Sequence, residues 1–174
     1  MRMSCWIAGA VMIGAAPLAA KGMSMHDHAM ADIVDGQGQT KGRAMLMQGK
    51  DGIHVTVEGV GLPPGVHAVH IHTTGACTAP DFKSAGGHWN PTMKEHGSEN
   101  PAGHHMGDIP NMTVASDGTG KLQAVIPGAM LKDGDKPLLD ADGAAIVIHA
   151  AADDYKTDPT GNAGGRIACG IIKP

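Results

Sequence analysis

The segment His67-Ala68-Val69-His70-Ile71-His72 places three histidines within six residues, interleaved with β-branched neighbours. Valine and isoleucine suit a pleated, half-buried strand, and side chains on a strand alternate between its faces. His70 and His72 therefore share one face, while His67, Val69 and Ile71 share the other. A His-x-His pair brings neighbouring imidazole nitrogens within reach of one ion, and imidazole suits copper and zinc. His67, without such a partner, reads as a structural residue. The chain must therefore bury Val69 and Ile71 in a sheet core and bring further ligands to the opposite face from elsewhere.

With 174 residues, the chain has the length of one ordinary domain. A formal net charge of −4, with no run of Lys or Arg, excludes a nucleic-acid footprint. Aromatic residues are scarce, at 2%, so the core has to be built from Val, Ile, Leu, Met and Ala. The 26 glycines are spread between short alternating runs and read as turn chemistry of an all-β protein.

Residues 1–20 carry Arg2, the apolar run Cys5 to Ala16, and a small-residue region ending at Ala20. This is the anatomy of a secretory signal peptide, too short in its apolar run to span a bilayer, which predicts a periplasmic protein without a membrane anchor after cleavage. Cleavage removes Cys5 and leaves Cys77 and Cys169, an even pair most simply read as one disulfide in an exported domain. Residues 21–31, with Met23, Met25, His26, His28 and Met30, have no periodic apolar face and predict a flexible tail. Thioether and imidazole both bind copper, so capture of metal by this tail competes with a plain unstructured leader.

From residue 32 to 174 the pattern is that of one domain. Strands are predicted over Ala31–Asp35, Lys41–Gln48, Gly52–Gly59, the histidine segment, Asn111–Ser116, Thr119–Ile126, Ala144–Ala150 and Gly165–Ile172. Eight strands without an amphipathic helix predict an antiparallel Greek-key sandwich or barrel. Between Thr73 and Pro110 regular patterning stops, yet this stretch holds Cys77, His88, His96, His104, His105 and Asp108. So many ligand types in one long loop read as a segment ordered around metal. His70, His72, His88, His96, His105, Asp108 and His149 exceed what one ion needs, which implies two sites. The apolar partners of His70, His72 and His149 face the core, so these imidazoles stand on the outer face and suit a redox-capable copper site. His88, His96, His105 and Asp108 form a four-ligand N/O set suited to zinc.

Together these motifs resemble the copper/zinc superoxide dismutases of the exported bacterial type. The resemblance is carried by His67 to His72, Ser84-Ala85-Gly86-Gly87-His88-Trp89-Asn90-Pro91, His105-Met106-Gly107-Asp108, and Gly161 to Gly170, and covers essentially Asp32 to the C-terminus. It implies copper and zinc as cofactors, with His70, His72, His88 and His149 on copper and His88, His96, His105 and Asp108 on zinc. On that resemblance His88 would bridge the two metals. His105 is preferred over His104 because the family pattern is His-x-x-Asp.

The resemblance also implies a Cys77–Cys169 disulfide, Arg166 as the group that guides the superoxide anion, and Asp153 as a carboxylate linking a copper ligand to a zinc ligand. Thr160 is a weaker candidate for lining the channel. The implied activity is dismutation of superoxide to dioxygen and hydrogen peroxide by alternate reduction and oxidation of copper, an antioxidant function outside the cytoplasm. His88 would carry a proton during the cycle. Monomer and homodimer both stay open. Ala68 and Val69 depart from the glycine and aromatic common in the family, but neither is a ligand. A non-enzymatic copper-storing or copper-delivering protein is the competing reading. The Met/His tail favours it; the complete ligand set with Arg166 weighs against it.

Overall fold

The computed structural model describes residues 28–135 and 137–174. Among these, apart from a 3-10 turn at Lys83–Ala85, all regular elements are strands. They are β1 (His28–Asp35), β2 (Thr40–Gln48), β3 (Gly52–Gly59), β4 (Gly65–His67), β5 (Val69–His72), β6 (Met112–Val114), β7 (Gly120–Pro127), β8 (Ala144–His149) and β9 (Arg166–Ile172). All pairings between these strands are antiparallel, in the order β4-β6-β7-β3-β2-β1-β9-β8-β5.

The strand total is nine rather than the predicted eight, because the histidine segment splits at Ala68. β4 pairs with β6 and β5 pairs with β8, so consecutive strands lie at opposite ends of the sheet order. Ala68 sits at that seam, its N–H donating to Ala151 O (2.8 Å) and its carbonyl accepting from His149 N–H (2.9 Å). Here the sheet curls into a nearly closed barrel. Closure satisfies edge groups that an open sheet would expose.

A second correction concerns the predicted tail. Its last four residues, His28 to Ala31, belong to β1, paired with Met47 to Ala44 of β2. Ala29 and Ala31 are buried there, but side chains this small carry little apolar signal in a sequence. The predicted signal segment 1–20 and the rest of the predicted tail lie outside the described residues.

Alternation builds the interior. Ile33, Leu46, Ile53, Val55, Val57, Val69, Ile71, Ile146 and Ile148 pack into one core, each such side chain contributing about 1.5–3 kcal/mol on burial. Ala145 and Val147 face the other way on β8 and join Phe82, Ala85, Cys169 and Cys77 in a smaller cluster under the long loop. The β5–β8–β9 end of the barrel is thus covered on both faces. A Cys77–Cys169 disulfide fastens the loop to β9 across a separation of 92 residues.

Candidate metal centre

β5 is a terminal strand of the sheet order, and its remaining edge is occupied by the loop. Trp89 N–H donates to Ile71 O (2.8 Å) and Ile71 N–H to Gly107 O (3.0 Å), while His72 pairs with His88 and His70 with Asp108 as isolated bridges. Two separate stretches of loop are thereby laid alongside the His-x-His strand. The approach is close enough to demand glycine, since a Cβ on Gly107 would run into the Ile71 carbonyl.

This arrangement assembles the cluster. The ligand-type nitrogens of His70, His72, His88 and His149 include one from each ring that lie within 4.8 Å of one another, and all four residues are buried. His70 and His72 do stand on the face opposite the core, as alternation requires, but the loop covers them, leaving exposures of 0% and 1%.

For each ring, the nitrogen facing away from the cluster is held. His70 Nε2–H donates to Asp153 Oδ2 (2.8 Å), His72 Nδ1–H to Gly86 O (3.0 Å), and His149 Nδ1–H to Gly164 O (3.3 Å). His88 Nδ1 lies 2.9 Å from Asp108 Oδ1. The opposite nitrogens, His70 Nδ1, His72 Nε2, His88 Nε2 and His149 Nε2, are buried without a hydrogen-bond partner among the described residues. Buried polar atoms are seldom left so, and four imidazole lone pairs converging in one place fit a copper ion.

Around Asp108 the donors are of mixed type. His88 Nδ1, His96 Nδ1 and His105 Nδ1 lie 2.9, 3.0 and 3.2 Å from Asp108 Oδ1. Asp108 Oδ2 accepts the backbone N–H groups of Gly97 (3.1 Å) and His105 (3.0 Å). Three imidazoles and a carboxylate fit zinc. His70, His88, His96 and Asp108 also have ligand atoms within 4.8 Å of one another, so the two groups share His88 and adjoin at His70. His104 is exposed and its Nδ1–H donates to His105 O, away from this set.

Asp153 ties the halves together. Its Oδ2 accepts from His70 and its Oδ1 from His96 (3.0 Å). Asn111, whose amide brackets the Asp153 backbone, and the N–H of Tyr155 (2.7 Å to Asp153 Oδ1) hold it in place.

Electrostatics separate the rings. Burial lowers His72 to about 2 and His149 to about 3; it also lowers His88, against the pull of Asp108, to about 4. Burial opposes the charged form of His96 too, but hydrogen bonds to Asp108 and Asp153 overcome it and raise the ring to about 9. Both carboxyls, despite burial, are held well below the usual carboxylate range by their histidine partners.

Arg166, at the start of β9, donates to Phe82 O and Gly86 O (both 2.7 Å). Gly86 O is also the acceptor for His72, so one carbonyl orients both the guanidinium and a ring of the cluster. Arg166 lines a cleft of about 470 Å³ together with Pro80, Asp81, Lys83, Gly164 and Gly165. Thr160 is exposed, in a turn where its N–H donates to Thr157 O. His67 is buried, its ring nitrogens 2.8 and 2.9 Å from the carbonyls of His149 and Pro63, a structural role.

Sequence reasoning missed the carbonyls of Gly86 and Gly164, which no residue type signals. It also missed Asn111 and Tyr155. Tyr155 had a signal, as one of very few aromatic residues: its hydroxyl accepts the Asn111 N–H (2.9 Å), supporting Asp153 from behind.

The copper/zinc superoxide dismutase (SODC) family pattern matches residues 40–172. Cu-Zn superoxide dismutase 1 of Aquifex aeolicus is 48% identical over 145 residues, 82% of this chain and 86% of that protein. The Cu-Zn superoxide dismutase of Caulobacter vibrioides is 44% identical over 148 residues, covering 83% and 85% of the respective chains. The crystal structure of a double mutant of a superoxide dismutase-like protein from Bacillus subtilis superposes with a TM-score of 0.79, at 43% identity, over 83% of this chain and 97% of that one. Its barrel, its buried histidine cluster and these likenesses over most of its length make the chain a member of the copper/zinc superoxide dismutase family.

Proposed function

We propose that this protein is a copper/zinc superoxide dismutase acting outside the cytoplasm, with copper on His70, His72, His88 and His149 and zinc on His88, His96, His105 and Asp108. The observation that carries the reading is the set of four buried, unpartnered imidazole nitrogens, oriented from behind and placed next to Arg166 through the shared Gly86 carbonyl. Bound there, copper supplies reversible one-electron chemistry, and zinc supplies a fixed charge.

The chain's own residues do the rest. Arg166 draws the superoxide anion into the cleft and holds it beside the cluster, as a cation on a low-dielectric wall can. Asp153 keeps the rings of His70 and His96 from turning, and Asp108 positions His88. His88 Nε2 takes up and gives back a proton as superoxide is converted to dioxygen and hydrogen peroxide. The Cys77–Cys169 bridge supports an exported location, because disulfides persist in oxidising compartments, and so does the signal-like segment 1–20.

The test is superoxide decay with protein carrying both metals. Arg166→Ala should slow it by about tenfold to a hundredfold and weaken its salt dependence, with copper and zinc content unchanged. Loss of copper in that variant contradicts the assigned role of Arg166. Native protein with both metals that leaves superoxide decay unaltered points instead to copper storage or delivery.

A further inference from the structure

The outer face of β1 and β2 carries a second set of metal-binding atoms, remote in sequence from the cluster. On β1, Ala29, Ala31 and Ile33 enter the core, so His28, Met30 and Asp32 turn outward. On β2, Ala44 and Leu46 enter the core, so Arg43, Met45 and Met47 turn outward. The register sets His28 opposite Met47 and Met30 opposite Met45. Opposed Cβ atoms in such pairs lie about 4.5–5.5 Å apart, and the next pair on the same face is about 7 Å along the strands. Three thioethers and an imidazole therefore stand at the corners of a small rectangle.

Packing does not account for Met30 and Met45, while His28 and Met47 beside them are half-buried. Met30 is 53% exposed and Met45 44% exposed, both lining an open groove of about 500 Å³. His28 Nδ1 is buried without a hydrogen-bond partner among the described residues. Methionine arms have several rotatable bonds and a polarisable sulfur, so neighbouring thioethers can close on one ion without moving the strands. Thioether donors select Cu(I) over the hard divalent ions, and an imidazole beside them is compatible with the same choice.

We propose that His28, Met30, Met45 and Met47 form a surface site for a soft monovalent metal ion, Cu(I). It shares no ligand with the buried centre and stands whether or not the dismutase reading does. The site binds the ion without a change of oxidation state.

The experiment uses the full chain with its buried centre already loaded with copper and zinc. Anaerobic titration with Cu(I) against a competing coloured chelator should show one further equivalent bound. With methionine methyls labelled by carbon-13, Ag(I), a redox-inert stand-in for Cu(I), should shift the resonances of Met30, Met45 and Met47. The methyl of Met93, 86% exposed on a loop, should stay in place. M30L/M45L, which keeps volume on an exposed face, should weaken Cu(I) binding by about tenfold or more while leaving the metal content of the buried centre intact. The proposal is overturned if no further equivalent binds, if Met93 responds as strongly as the strand methionines, or if binding survives the double substitution, as it would were Met23 and Met25 the ligands.

Discussion

On the sheet side of the metal cluster, His70, His72 and His149 stand on β5 and β8, strands whose opposite faces send Val69, Ile71, Ile146 and Ile148 into the core. On the loop side, His96, His105 and Asp108 stand on a segment without regular secondary structure, held by hydrogen bonds to Asp108, Asp153 and Asp158. The first half is placed by apolar burial and a backbone ladder. The second is placed chiefly by buried polar groups that oblige one another to pair, with the exposed Asp158 adding a hydrogen bond to the His96 backbone. The same division appears in charge. Burial keeps His72 and His149 neutral, whereas two carboxylates hold His96 protonated. A barrel can thus deliver half of a centre ready-made, and a loop can deliver the other half only if something other than secondary structure orders it.

The strongest way to break this contrast is to remove the covalent tie. Replacing Cys77 and Cys169 by Ser frees a loop of 92 residues and should lower the stability of the metal-free protein by about 4–5 kcal/mol in denaturant unfolding. Hydrogen exchange should then accelerate in residues 73–111 before it does in β5 and β8; equal loss of protection in both would sink the distinction.

A smaller effect is expected from Asp108→Asn. It weakens a buried carboxylate hub that is 4% exposed and should destabilise the metal-free chain by about 3 kcal/mol. Metal analysis should find zinc lost first and copper retained; unchanged zinc content counts against the assigned ligand set.

The smallest effect concerns pH. His96, raised to about 9, is protonated at neutral pH in the metal-free protein and must release a proton to bind an ion. Zinc affinity should therefore fall about tenfold per unit as pH drops from 8 to 6. His72 and His149, lowered to about 2 and 3, have no proton to release in that range. Copper affinity should fall less steeply than zinc affinity, and parallel slopes for the two metals would show that the halves are not electrostatically distinct.

Much of the sheet half was legible because period-two alternation is written directly in Val69-His70-Ile71-His72 and in Ile146-Val147-Ile148-His149. The split at Ala68 was not, because whether one extended segment pairs with one neighbour or two depends on barrel closure, which no local pattern encodes. The start of β1 escaped for a different reason: Ala29 and Ala31 bury too little surface to stand out. In the loop, ligand types were recognisable, but the carbonyls of Gly86 and Gly164 that select which nitrogen of His72 and His149 is free could not be seen.

The sequence by itself determined which faces carry imidazole, which two cysteines lie outside residues 1–20, and that the ligand types exceed the needs of one ion, since each follows from residue chemistry and a strand's period. Only the tertiary structure decided that β5 lies at a sheet edge which loop residues 88–89 and 107–108 complete. Only it brought His88 and Asp108 beside His70 and His72, and let Asp153 bind a ring from each half. Those contacts join residues far apart along the chain. They form when burial forces each polar group to find a partner, a condition imposed by the whole fold and written in no single segment.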